Sequence, residues 1–72
     1  MKVRVTARPY LMTFPRSAER YLLTSADAQS LIDAYGIKSA TAERVTLWGV
    51  NGWTPVLIPA TLGGGPAFTV TR

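Results

Sequence analysis

The sequence predicts a small α+β domain, an antiparallel β-sheet with one helix packed on one face, in the order ββαβββ. Three observations carry that expectation. Residues alternate with period two over Lys2–Leu11, an amphipathic stretch with both caps spans Ser25–Tyr35, and an Asn51-Gly52 pair divides two β-prone runs. The 72 residues form a single domain, 1–72, because a chain of this length has no room for a second core.

In the first segment Val3, Val5, Ala7, Pro9 and Leu11 fall on one side, and Lys2, Arg4, Thr6, Arg8 and Tyr10 on the other. That pattern reads as a half-buried strand with a basic outer stripe. Pro9 donates no ladder hydrogen bond, so an edge or a bulge is expected there. Pro15-Arg16-Ser17 reads as a turn, and Arg20–Thr24 as a returning strand or, after Ser17-Ala18-Glu19, a short helix. The helix follows. Ala28, Leu31, Ile32 and Tyr35 stand at i, i+3, i+4 and i+7 and make one apolar stripe. Thr24 or Ser25 can cap its start, Asp27 suits the positive end of its dipole, and Gly36 stands where a left-handed residue ends it.

Asn-Gly between β-prone residues is the strongest short-range hairpin signal, since both positions take positive φ. A two-residue loop pairs Val50 with Trp53, Trp48 with Pro55, Leu47 with Val56, Thr46 with Leu57 and Val45 with Ile58. Gly63-Gly64-Gly65-Pro66 then reads as a loop tip, and Ala67–Arg72 as the last strand.

Composition excludes whole classes of function. With no cysteine and no histidine, disulfides, thiol chemistry, His-dependent triads and zinc sites all drop out, and no metal or cofactor is expected. Only four carboxylates occur, and Asp27 and Asp33, six apart, lie on different faces of the helix. Neither Gly49-Val50-Asn51-Gly52 nor the triple glycine has the Lys-Ser/Thr tail of a phosphate loop. No enzymatic activity is expected. Hydrophobic residues make up 47% of the chain, too many for disorder, yet no apolar run is long enough for a membrane span or an export signal. A cytoplasmic protein without membrane contact is the expectation.

The charge is lopsided. Lys2, Arg4, Arg8, Arg16 and Arg20 against Glu19 alone give residues 1–20 the whole net surplus of +4. From Val45 to Thr71 no charged residue occurs over 27 positions, so this third of the chain lacks an ordinary solvated face. In the two-residue register one hairpin face carries Val45, Leu47, Val56 and Ile58, and the other Thr46, Trp48, Val50, Trp53, Pro55 and Leu57. One helix covers only one of them.

The sequence therefore points to a protein-interaction module that uses Trp48, Val50, Trp53, Pro55 and Leu57 to meet another protein or a second copy of itself. Lys2, Arg4, Arg8, Tyr10 and Arg16 would meet an acidic partner or nucleic acid. Size and charge suit a compact regulator or inhibitor of phage type, or a self-associating structural subunit. The alternative is a nucleic-acid-binding regulator. Residues 31–45 resemble a helix-turn-helix, with its turn at Gly36, apolar positions at Leu31, Tyr35, Ile37, Ala42 and Val45, and the glycine loop as a wing. That resemblance would set Lys38, Ser39, Thr41 and Arg44 near DNA. Against it, Ile32 stands where the motif takes a small residue, and its second helix would run into β-prone Val45-Thr46-Leu47.

Overall fold

The computed structural model describes residues 1–49 and 52–72. The fold is α+β, with strands β1 (Lys2–Val5), β2 (Tyr10–Thr13) and β3 (Arg20–Leu23), helix α1 (Ser25–Tyr35), and strands β4 (Ile37–Ala40), β5 (Val45–Leu47), β6 (Val56–Pro59) and β7 (Phe68–Thr71). Five strands form an antiparallel sheet in the order β3-β2-β6-β5-β4, while β1 and β7 pair separately as a two-stranded ribbon.

The helix forms where its local signals lie. The Thr24 hydroxyl accepts a hydrogen bond from the Asp27 amide at 3.2 Å and satisfies one free donor of the first turn. At the other end Gly36 takes φ 80° and ψ 163°, a conformation open essentially to glycine alone, and its amide donates to the Ile32 carbonyl at 3.1 Å. Ala28 and Ile32 are buried, Leu31 is half-buried, and Tyr35 at the end of the stripe remains 45% exposed.

The core lies between the inner face of the five-stranded sheet (Tyr10, Val45, Leu47, Leu57) and a second layer. That layer is made by Ala28 and Ile32 of α1 with Val3, Ala67 and Phe68 of the ribbon and its approach. The Tyr10 and Phe68 rings meet across the two layers at 5.2 Å between centroids.

Two sequence expectations fail by the same mechanism. The period-two reading of Lys2–Leu11 as one strand is wrong, because the chain leaves the ribbon after Val5 and enters the large sheet at Tyr10. The break at residues 6–9, which includes Pro9, resets the alternation, so Tyr10 joins Val3 in the core instead of lying on the basic outer face. The hairpin register is also one residue off. Val45 pairs with Leu57 and Thr46 with Val56, and the Leu47 amide donates to the Pro55 carbonyl at 2.9 Å. A one-residue slip exchanges the faces of a strand. Leu57 and Pro55 are therefore buried, and Val56 and Ile58 turn outward. Val50 and Asn51 lie outside the described residues; Gly52 does take positive φ, 78°.

The helix-turn-helix is absent from the described residues. Ile37–Ala40 is a strand, and Thr41–Arg44 is the turn into β5, closed by Thr41 N–H to Arg44 O at 2.8 Å. The glycine loop is not a wing, since β6 and β7, on either side of it, belong to different sheets. The division of the first strand into β1 and β2 and a strand at Ile37–Ala40 make the observed order βββαββββ, two strands more than expected.

The ribbon edge is sealed by a side chain. Gln29 of α1 accepts from the Val5 amide at 3.0 Å and donates to the Val3 carbonyl at 3.0 Å, doing for β1 what a neighbouring strand would do. Gln29→Ala should cost about 1–2 kcal/mol, as two partly buried backbone groups lose their partner. Amide exchange checks this, with faster exchange at Val5 than in the parent chain.

Candidate functional site

At one end of the sheet the core opens into a cleft of about 380 Å³. Met12, Leu31 and Pro55 supply apolar lining, Phe14, Tyr35 and Trp53 are aromatic, and Ser17 and Glu19 are polar. Three segments distant in the chain build it. Phe14 follows directly on β2, where the turn closes with Ser17 N–H to Phe14 O at 3.0 Å. Tyr35 is the last residue of α1. Trp53 comes from the connection between β5 and β6. The backbone at Gly49 lies so close to that of Trp53 that a Cβ there would stand 1.7 Å from the Trp53 carbonyl oxygen. Only glycine lets the two ends of this connection touch, and that contact sets Trp53 at the cleft.

The aromatic rings hold one another edge to face. Phe14 meets Trp53 at 6.0 Å with an interplanar angle of 86°, and Tyr21 at 6.1 Å and 89°. Trp53 and Tyr21 are still 43% and 45% exposed. The Tyr21 hydroxyl donates to the Glu19 carboxylate at 2.7 Å, which in turn raises the Tyr21 pKa above its ordinary value of 10.0, through that hydrogen bond first and the carboxylate charge second. Glu19→Gln should lower the Tyr21 pKa toward 10.0, read by alkaline absorbance titration. A raised folded-state value means that the contact favours the folded chain below the unfolded tyrosine pKa. That advantage disappears as pH climbs through the raised value.

The residues singled out from sequence do not form one surface. Trp53 and Pro55 line the cleft, Pro55 as a buried residue. Trp48 is 55% exposed but stands on the β4 side, where its ring lies 5.4 Å from the Lys38 ammonium and its amide donates to Gly36 O at 3.1 Å. Leu57 is a core residue and Val50 lies outside the described residues.

Among the basic candidates, Lys2 and Arg4 are exposed on the ribbon and Arg16 on the turn after β2. Arg8 is committed within the chain: its guanidinium donates to the carbonyls of Gly63, at 3.0 Å, and Gly64, pinning the glycine loop. Tyr10 cannot meet a partner. Fully buried, its hydroxyl lies 2.7 Å from Ala67 O and 2.9 Å from Thr6 O. Thr41 holds its own turn by accepting from the Glu43 and Arg44 amides at 3.3 and 3.1 Å, while Lys38, Ser39 and Arg44 are exposed along β4 and that turn.

Phe14, Tyr21, Tyr35 and Glu19 were not foreseen as site residues. The signal for Tyr35 was present, because the last position of an apolar helix stripe extends beyond the core when the sheet beneath it ends. Phe14 and Trp53 share no local pattern.

The cleft offers apolar and aromatic surface with the Glu19 carboxylate beside it. Among the described residues, no helix is long and apolar enough to cross a membrane, and no three His, Cys, Asp or Glu residues cluster. Comparison with protein-family models, curated proteins and solved structures gives no match, so the functional reading comes from these residues alone.

Proposed function

We propose that the chain is a non-enzymatic protein-interaction module whose aromatic cleft receives an apolar or aromatic side chain from a partner protein. One observation carries the reading. Phe14, Tyr35 and Trp53 surround a concave opening onto the core, with Trp53 and Tyr35 still 43% and 45% exposed. Aromatic side chains at the edge of a concavity are the usual anchors of protein interfaces, and a polar rim such as Ser17 and Glu19 is their usual border. A cleft of about 380 Å³ also suits a side chain or two better than a flat apposition of surfaces.

Selection of displayed random peptides against the intact chain tests this. Enriched peptides should carry an aromatic or long aliphatic anchor and bind Trp53→Ala about 30-fold more weakly, the loss of one interface hot spot. Their binding should change little with salt, because no ion pair drives it. Trp48→Ala, outside the cleft, should bind them as the parent does. Peptides indifferent to Trp53→Ala, or no enrichment, would overturn the reading.

A further inference from the structure

The β1–β7 ribbon carries a second surface, chemically unlike the cleft. Its register pairs Lys2 with Thr71, Val3 with Val70, Arg4 with Thr69 and Val5 with Phe68. Side chains alternate, so Val3, Val5, Phe68 and Val70 share one side and Lys2, Arg4, Thr69 and Thr71 the other. Val3 and Phe68 are buried at 4% and 1% exposure and packed into the core, which forces the four polar residues outward. All four are exposed, and Asp33 of α1 lines the same hollow as Lys2 and Arg4.

The ribbon is not built to accept another strand. Gln29 occupies the free edge of β1, and at the start of β7 the Ala67 and Phe68 amides both donate to Ala42 O, at 2.9 and 3.0 Å. What remains available is the outer face, a short twisted pair of strands bearing two cations and two hydroxyls.

We propose that this face binds duplex DNA by entering the major groove. The groove of B-form DNA, about 12 Å wide, admits a two-stranded ribbon. Lysine and arginine match phosphates and the guanine O6 and N7 acceptors. A threonine offers a hydroxyl to base edges or phosphates and a methyl to thymine. The narrow, deep major groove of duplex RNA excludes the same element, so the geometry selects DNA. Only ribbon residues take part, and the proposal stands independently of the aromatic cleft.

Fluorescence anisotropy with a labelled duplex of about 20 base pairs, over about 50–200 mM salt, tests it. The parent chain should bind with an affinity that falls as a power of salt concentration, at a slope of about −0.9 per phosphate contacted. Lys2→Gln/Arg4→Gln should bind at least about tenfold more weakly at low salt, with a slope shallower by about 1.8 if both contact phosphates. Arg16→Gln/Arg20→Gln, which removes the same charge from the β2–β3 hairpin, should bind as the parent does. Duplex RNA of the same sequence should bind more weakly than DNA. All substituted side chains are exposed, and circular dichroism confirms that the variants keep the fold. No binding at low salt, equal binding of DNA and RNA, or equal losses in the two double variants would overturn the proposal. None of these results bears on peptide capture by the cleft.

Discussion

Leu57→Ala is expected to destabilise the domain by about 2–5 kcal/mol, while Ile58→Ala, one residue further on, costs about 1 kcal/mol. The difference follows from the register. Leu57 pairs with Val45 and Met12 on the inner face and is fully buried, and truncating it leaves a cavity among Tyr10, Val45 and Leu47. Ile58 pairs with Leu11 on the outer face and is half-buried, so its loss exposes little that water does not already reach. Domains of this size are stable by only a few kcal/mol, so Leu57→Ala should be largely unfolded at ambient temperature. Urea unfolding of the two variants checks this. A two-residue Asn51-Gly52 loop would reverse their order, with Ile58 the costly position.

Tyr10 gives the second large effect. Tyr10→Ala should cost about 3–5 kcal/mol, since the ring is fully buried against Phe68 and anchors the junction of the two layers. Tyr10→Phe keeps that packing and removes only the hydroxyl bonded to Ala67 O and Thr6 O. Its cost should be about 1 kcal/mol, at the low end for a buried hydrogen bond, because Ala67 O still accepts from the Thr6 amide at 3.1 Å. Thermal unfolding of both variants separates ring from hydroxyl. A Tyr10→Ala protein as stable as the parent would contradict the buried position.

The helix was legible because its determinants are local: the Thr24 cap, a stripe of period 3.6 and Gly36 lie within thirteen consecutive residues. The α+β class followed from the same kind of signal. Side-chain facing was not legible, and both failures were errors of parity. Between Val5 and Tyr10, and again between Leu47 and Val56, the number of irregular residues decides which face the next strand presents. Periodicity cannot count those residues. Tyr10 and Leu57 accordingly exchanged surface for core, while Val56 and Ile58 moved the other way.

The apolar face expected at Trp48, Val50, Trp53, Pro55 and Leu57 does not form as one surface. An apolar outer face does exist on the large sheet, but Leu11, Leu22 and Ile58 make it, with Leu22 72% exposed, and the tryptophans lie elsewhere. The cleft was invisible for another reason. Phe14, Tyr35 and Trp53 come together only through the packing of three distant segments, and no spacing rule relates them. The ribbon's basic face was half visible. Lys2 and Arg4 stood out on the first strand, but nothing in the sequence paired them with Thr69 and Thr71.

On the proposed reading the aromatic cleft stands open for another protein. The most direct measurement is the solution mass of the purified chain at low and high concentration, with tryptophan emission and acrylamide quenching on the same samples. With Trp48 and Trp53 55% and 43% exposed, a monomer at both concentrations is predicted, with red-shifted, readily quenched emission. A dimer or larger ring with blue-shifted, shielded tryptophans would overturn that reading, because a second copy of the chain would then already fill the cleft.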